Sequence, residues 1–147
     1  MPRSLAYGDK QFPQFNEALK ATCCTFLNRV IDFGPSMTLG VIEDGKVLGV
    51  VVFHDYIQER GTIEMTIGAG SRRWLDRKVI KEIARLAFVV NGCQMLFARC
   101  DADYPVTARI LTALGFQKII LPNMRGKGKD EAFFHMTRDA WELGRFH

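Results

Sequence analysis

The central stretch of the chain, residues 61–116, begins with Gly61-Thr62-Ile63-Glu64-Met65-Thr66-Ile67, and its pattern sets the architecture. Apolar and polar side chains alternate from Thr62 to Ile67, which predicts a strand with one buried face. Glu64 and Thr66 lie on the polar face of that strand. The following residues, Gly68-Ala69-Gly70-Ser71-Arg72-Arg73, form a glycine-containing basic loop typical of a turn before a helix.

A helix and a second strand complete this central unit. Apolar residues recur at steps of three or four, as on one face of an amphipathic helix: Leu75, Val79, Ile83, Ala87 and Val90. Asn91-Gly92 is a helix stop, and the nearly continuous apolar run from Gln94 to Cys100 is typical of a central strand covered on both faces. Strand, helix and strand within about forty residues predict a βαβ crossover with parallel strands.

The residues before this unit predict a helix and an antiparallel hairpin. Ser4 to Gly8 is a weak candidate for a first strand, and the helical rhythm from Phe12 to Phe33 fits one long helix or two short ones. Strands from Met37 to Glu43 and from Lys46 to His54 flank Asp44-Gly45, a strong hairpin signal because both turn residues tolerate positive φ. With the Thr62 strand they predict three antiparallel strands.

The residues after the crossover predict a further helix and a second hairpin. Pro105 fits the first turn of a helix that runs to Leu114. Phe116 to Leu121 and Glu131 to Thr137 are apolar strands joined by a glycine-rich basic linker. The predicted fold class is therefore α/β, with a mixed, mostly antiparallel sheet, a central βαβ crossover and flanking helices.

Composition limits the kind of protein. The 147 residues fit a single domain, predicted to span residues 1–147, and 48% hydrophobic with 24% charged residues is typical of a globular chain. No apolar run reaches the roughly 18 to 20 residues that cross a bilayer, and the start lacks the apolar segment of a signal peptide. We therefore expect a cytoplasmic protein with no membrane partner.

The net charge indicates the kind of partner, and the cysteines and histidines indicate which kinds of site to expect. The net charge of +4 favours an anionic partner: nucleic acid, a phosphorylated cofactor or an acidic protein. Four cysteines, at positions 23, 24, 93 and 100, match neither a zinc motif nor a secreted disulfide framework and are expected to be reduced thiols. Cys100 is interpreted as a small core residue in preference to a nucleophile. Three scattered histidines predict no metal site.

This order of elements, closed by Leu114-Gly115-Phe116, resembles the GNAT superfamily of acetyl-CoA-dependent N-acetyltransferases. The resemblance covers most of the chain from Met37 onward. Runs such as His54-Asp55-Tyr56 and Arg73-Trp74-Leu75 are similar to small GNAT-like proteins of tailed bacteriophages, which would place the protein in the host cytoplasm. The resemblance implies acetyl-CoA as cofactor and an amine of a small molecule or a protein as acceptor.

The resemblance also implies a cofactor site. The superfamily's pyrophosphate loop corresponds here to residues 71–76, where its glycines are absent, so Arg72 and Arg73 are expected to bind phosphate through their guanidinium groups, with Leu75 beside them. The backbone of Thr66 and Ile67 is expected to hold the pantetheine arm where the parallel strands part. Trp74 has two interpretations: stacking on adenine or a nucleic-acid base, or, as favoured, locking the helix onto the sheet.

Glu64 and His54 are the candidate catalytic residues. Glu64 lies on the strand where GNAT enzymes often place the general base, and a salt-bridged glutamate is the structural alternative. His54 ends an apolar strand and suits proton transfer, although a capping histidine is more common. Asp55 would point to the other face if the strand continued, so no His–Asp pair is predicted. Many members of the superfamily have a tyrosine that acts as general acid, and Leu111 stands at that position here. Tyr104 is either a substitute general acid or, more commonly, a residue packed at the start of a helix.

A second hypothesis is a GNAT-fold binding protein without turnover. It would dock on a host protein, or less favourably on nucleic acid, through the basic surface from Arg72 to Arg85. The missing loop glycines and the missing tyrosine favour this hypothesis. Glu64 and His54 favour the enzyme.

Overall fold

The computed structural model describes residues 3–147. Its strands are β1 Arg3–Gly8, β2 Ser36–Glu43, β3 Lys46–Ile57, β4 Thr62–Ala69, β5 Met95–Asp101, β6 Gln117–Leu121 and β7 Glu131–Thr137. Its helices are α1 Pro13–Leu27, α2 Arg77–Ala84, α3 Pro105–Ala113 and α4 Arg138–Leu143. A 3-10 turn, Arg72–Trp74, precedes α2, and a π-helical segment, Arg85–Val90, continues it. The strands form one mixed sheet in the order β1-β2-β3-β4-β5-β7-β6, which confirms the predicted fold class.

The antiparallel half of the sheet forms as predicted. Asp44 and Gly45 both have positive φ, 53° and 73°, so the β2–β3 turn takes the twist that suits a hairpin. The weakly predicted first strand is present as β1, paired with β2. The residues from Phe12 to Phe33 contain a single helix, which ends at Leu27 because Asn28 adopts the left-handed conformation.

The crossover is present, and its parallel pairing is short. β4 and β5 are in register at three residue pairs, Thr62 with Met95, Ile63 with Leu96 and Glu64 with Phe97. Beyond Glu64, β4 pairs only with β3, while β5 continues along β7. The two central strands therefore part after Glu64, and we call the opening between them the split.

The two faces of the sheet are covered unequally. The main core lies between the sheet and α2 and α3, and includes Phe88, Leu96, Leu111 and Phe134. On the other face α1 packs on β1 to β4 and does not extend over β5. The prediction that β5 is covered on both faces is therefore wrong, since Arg99 on its second face is exposed.

The cysteines and the helices also bear on the expectations about disulfides and membrane spans. All four cysteines are free, and Cys100 packs against the main core, where burial raises the pKa of its thiol. Within residues 3–147, every helix is too short or too polar to cross a bilayer.

Candidate active site

Glu64 lies at the start of the split and is engaged in an ion pair. Its side chain is nearly buried, and its oxygens accept two hydrogen bonds from Arg99, from Nε and Nη2, each 3.0 Å long. Arg99 reaches Glu64 because it lies two residues beyond Phe97, on the same face of the sheet. The pKa of Arg99 is raised, chiefly by its hydrogen bonds to Glu64. Each carboxylate oxygen keeps a second lone pair, so Glu64 can still accept a proton.

His54 lies opposite Glu64 on β3 and makes two side-chain hydrogen bonds. Its Nδ1 is 2.6 Å from Asp55 Oδ2, and its Nε2 is 2.8 Å from Thr66 Oγ1. His54 is 6% exposed, and its ring packs against the ring of Phe33, with centroids 5.1 Å apart. His54 is therefore held in one orientation between a carboxylate and a hydroxyl.

The His54–Asp55 pair corrects the sequence expectation that these side chains lie on opposite faces. Asp55 has a φ of 53°, in the left-handed region, and the β3–β4 register shifts between His54 and Ile57. This irregularity breaks the alternation of a regular strand and turns the Asp55 carboxylate back toward the imidazole. Asp tolerates the left-handed region better than most residues, and no other residue of this stretch indicates the irregularity.

These side chains also bring possible metal ligands together, where the sequence predicted no site. Donor atoms of His54, Asp55 and Glu64 all lie within 4.8 Å of one another. Both ring nitrogens of His54 and both oxygens of Glu64 already have protein partners. Asp55 contributes one oxygen, Oδ2, to these hydrogen bonds, and its side chain is 63% exposed. The signal that could have found this cluster is the β3–β4 hairpin, which places His54 directly opposite Glu64.

An apolar cleft lies on the opposite face of the split, between α2 and α3. Its walls include Met65 and Ile67 from β4 and Leu111 from α3. Trp141 and Phe146, from the C-terminal segment, line the same cleft. Leu111 is buried there, at the position where the resemblance implies an acidic tyrosine.

The loop before α2 satisfies several of its own backbone groups. Ser71 Oγ accepts a hydrogen bond from the Arg73 backbone N–H, and Asp76 Oδ1 accepts one of 2.8 Å from Val79 at the start of α2. Arg73 forms an ion pair of 3.0 Å with Glu43 at the end of β2, whereas Arg72 is exposed. Of the two arginines predicted to bind phosphate, Arg73 is thus engaged with a carboxylate of the protein, and phosphate binding stays a prediction for both. Asp76 adds a negative charge at the same helix start.

Trp74 is buried, with 4% of its surface exposed. It packs on Gly49 of β3, where an added Cβ would come within 2.9 Å of the indole. This is the favoured packing interpretation, and a ring so buried has no open face on which adenine could stack. Trp74 also lines the apolar cleft with Leu75, so contact with a cofactor arm stays a prediction for both.

The exposure of Tyr104 differs from the sequence expectation. It precedes α3 and is 62% exposed, so its interpretation as a packed residue is wrong. Its role as a general acid stays a prediction.

Similarity to known proteins is confined to structure. Neither a protein-family model nor a curated protein sequence matches this chain. The spermidine/spermine N-acetyltransferase SpeG of Vibrio cholerae, solved with manganese ions, superposes with a TM-score of 0.75 at 11% identity over 96% of this chain and 95% of that one. A dodecameric structure of the spermidine N-acetyltransferase of Vibrio cholerae superposes with a TM-score of 0.72 at 12% identity over 95% of each chain.

A third similar structure was solved with its cofactor. YncA of Salmonella typhimurium, with acetyl-CoA, superposes with a TM-score of 0.68 at 16% identity over 92% of this chain and 93% of that one. Together these structures show that the chain has the fold of the GNAT acetyltransferases. At such low identity the similarity extends to the fold alone. The expected relation to bacteriophage proteins stays a prediction.

Proposed function

We propose that the protein is an N-acetyltransferase that moves an acetyl group from acetyl-CoA to an amine. The observation that carries the proposal is the split, because an apolar cleft lies beside it on one face of the sheet and a cluster of proton-transfer groups lies on the other. A thioester threaded through this opening would present its carbonyl carbon to an amine on the Glu64 side. The fold shared with acetyltransferases supports the same reaction.

The residues around the split fit the pantetheine arm of acetyl-CoA. Beyond Glu64, β4 has lost its β5 partner, so alternate backbone N–H and C=O groups near Thr66 and Ile67 face the opening. The amides of the arm can pair with these groups, and its methylene and dimethyl carbons can contact the apolar side chains that line the cleft. Arg72 supplies a cation for the phosphates, close to the N-terminus of α2.

Proton transfer on the other face is assigned to Glu64 and His54. An amine is largely protonated near neutral pH, so it must lose a proton before it attacks a thioester. Glu64 can accept that proton directly or through a water molecule while Arg99 holds the carboxylate in place. His54 lies beside it as a second proton carrier.

The open face of β5 and β7 is the proposed acceptor surface. Phe97 and Phe133 stack there with ring centroids 5.2 Å apart, and His135 lies beside Phe133. Aromatic rings next to a carboxylate suit an amine, since a cation is attracted to ring faces. The acceptor is therefore proposed to be a small molecule or a protein side chain that carries a primary amine.

A binding protein without turnover is the second candidate. Two observations favour it: Arg99 occupies both oxygens of Glu64, and Asp76 caps α2 where phosphate would bind. A groove between β1 and α2 offers the docking surface for an acidic host protein or a nucleic acid. It is lined by Arg3, Lys78, Lys81 and Arg85, together with Glu82, which pairs with Arg85.

Calorimetry and a turnover assay separate the two candidates. We expect CoA to bind, and to raise the free energy of unfolding by about 2.7 kcal/mol at a hundred times its dissociation constant. Thiol release from acetyl-CoA is then measured with a panel of amines, including spermidine and lysine peptides. A folded protein that shows neither CoA binding nor turnover would eliminate the enzyme and leave the binding protein.

A further inference from the structure

The hydrogen bonds around His54 form a continuous chain from a carboxylate to a hydroxyl. Asp55 Oδ2 lies 2.6 Å from His54 Nδ1, and His54 Nε2 lies 2.8 Å from Thr66 Oγ1. Carboxylate, imidazole and hydroxyl in this order, each within hydrogen-bond distance, is the arrangement by which a weak hydroxyl nucleophile is activated. The three residues lie on two neighbouring strands, His54 and Asp55 on β3 and Thr66 on β4, and the irregular conformation of Asp55 brings them together.

The direction of each hydrogen bond follows from the chemistry of the groups. A carboxylate can only accept, so Nδ1 of His54 carries a proton and donates it to Asp55. In the neutral ring Nε2 then has a free lone pair, and the Thr66 hydroxyl donates to it. His54 is thus oriented with its basic nitrogen directed at the Thr66 hydroxyl proton.

Thr66 is also placed beside the proposed thioester site. It lies on β4 beyond Glu64, where the strand borders the split, and its side chain is partly exposed. Its hydroxyl is on the face that carries Glu64, opposite the apolar cleft, because side chains two residues apart on a strand share a face. Unpaired backbone N–H groups of β4 at the split can donate to the oxyanion that forms when a thioester is attacked.

We propose that Asp55, His54 and Thr66 form a nucleophilic triad that gives the protein a second activity, acyl-thioester hydrolysis through an acyl-Thr66 intermediate. The thioester form of this inference rests on the proposed acetyl-CoA site. The triad geometry itself does not, so activated esters that bypass CoA binding are substrates too.

Hydrolysis proceeds in two steps. Thr66 Oγ1 attacks the carbonyl carbon as His54 Nε2 takes the hydroxyl proton; the C–S bond breaks and the thiolate leaves with that proton, giving acetyl-Thr66 and free CoA. Water then attacks the ester while His54 takes a proton from it, the C–O bond to Thr66 breaks, and His54 returns the proton to Oγ1. The net products are acetate and CoA. Asp55 is a positioning residue that keeps His54 in the required tautomer.

The experiment compares three threonine variants on two substrates without any amine. Thiol release measures the hydrolysis of acetyl-CoA, and nitrophenolate release measures that of p-nitrophenyl acetate. Mass spectrometry of the intact, acid-quenched protein detects an acetyl adduct. Thr66→Val removes the hydroxyl and keeps the branched shape, and Thr66→Ser keeps the hydroxyl. Thr25→Val is the matched control, since the Thr25 hydroxyl is exposed and bonds only to its own helix, to the carbonyl of Ala21.

We expect both hydrolyses in the unmodified protein, a loss of about a hundredfold or more in Thr66→Val, retention in Thr66→Ser, and no change in Thr25→Val. Asp55→Asn should lower kcat and leave KM unchanged, because Asp55 acts on the tautomer of His54 and does not touch the substrate. An adduct on Thr66 in the quenched sample would identify the nucleophile.

Two outcomes overturn the triad, and they differ from failure of the proposed function. If neither ester is hydrolysed by the folded protein, or if Thr66→Val hydrolyses both as fast as the unmodified protein, the triad is wrong even where CoA binds and amines are acetylated. If p-nitrophenyl acetate is hydrolysed through Thr66 while calorimetry shows no CoA binding, the triad is supported and the proposed acetyl-CoA site is contradicted.

Discussion

Arg99 and Glu64 form a two-pronged ion pair across the two strands that part in the middle of the sheet. Both hydrogen bonds are 3.0 Å long, and they bridge β4 and β5 just where direct backbone pairing between them ends. The Glu64 side chain is 7% exposed and that of Arg99 is 45% exposed, so the carboxylate depends on the guanidinium for its hydrogen bonds. The pair stabilises the sheet and positions the proposed base.

Replacing Arg99 tests the structural part of this role. We expect Arg99→Gln to lower the free energy of unfolding by about 1–3 kcal/mol, because an almost buried carboxylate loses its partner while the exposed arginine itself contributes less. Arg138→Gln, in the exposed pair with Glu142, is the control and should cost less than about 0.5 kcal/mol. Urea unfolding measures both. Equal effects of the two changes would show that the Glu64–Arg99 pair is no stronger than a surface pair.

Glu64→Gln tests the proposed role of Glu64 as general base. The amide keeps the shape and can still accept from Arg99, while the proton-accepting carboxylate is lost. We expect CoA binding to survive and amine acetylation to fall by about a hundredfold to ten-thousandfold. Glu59→Gln, in the exposed β3–β4 turn, is the control. Full acetylation activity in Glu64→Gln would transfer the role of base to another group, with His54 the next to test.

Asp76 is expected to stabilise α2 and to oppose phosphate binding at the same time. Asp76→Ala should cost about 1 kcal/mol of stability through loss of the cap, whereas Asp76→Asn keeps an equally good cap without the charge. The asparagine variant should therefore bind CoA about two- to fivefold more tightly by calorimetry, the value of one charge near a helix end.

The control for this comparison is Asp32→Asn, in the connection between α1 and β2, which should leave CoA affinity unchanged. An Asp76→Asn protein that is folded and binds CoA no better would place the phosphates away from the start of α2.

We expect Cys23 to make the free energy of unfolding depend on pH in the alkaline range. Burial raises the pKa of its thiol from 9.0 to about 12, and Cys24 adds a smaller effect of the same sign. The folded state therefore holds the proton more tightly than the unfolded state between these two pH values, and stability is full below pH 9 and falls as the pH rises toward 12.

Cys23→Ala should flatten this alkaline decline in urea unfolding series, at the cost of a small cavity under α1. Iodoacetamide at pH 8 provides the second measurement, and should modify the partly exposed Cys24 well before Cys23. Equal rates of modification would contradict the burial of Cys23.

Local signals in the sequence were sufficient for most of the fold. Asp44-Gly45 fixed a hairpin because both residues tolerate positive φ, and the period change after Ile67 from two to about 3.6 marked the crossover. The end of α1 was missed, because Asn28 takes a left-handed conformation that many other asparagines do not. The open face of β5 was missed because coverage depends on where α1 lies, and no residue of β5 reports that.

The candidate site depended on information that a single sequence lacks. Glu64 and His54 were found from their strand positions and the resemblance, but the partner of Glu64 was not, since Arg99 reaches it only through the β4–β5 register. The Asp55 carboxylate was placed on the wrong face because a regular strand was assumed through a register shift. The register between distant strands and local irregularities both depend on tertiary packing. Residue patterns along the chain therefore contain little information about them.

The short parallel ladder between β4 and β5 divides the sheet into two parts, β1 to β4 and β5 to β7, whose adjoining strands are in register at three residue pairs and are bridged by the Glu64–Arg99 ion pair. A bound molecule whose amides pair with the free edge of β4 would act as an additional strand and span the gap between the two parts. Binding in the split should therefore change amide hydrogen exchange far from any phosphate. Exchange along the outer part of β4 should be slow when the molecule is bound and fast when it has dissociated.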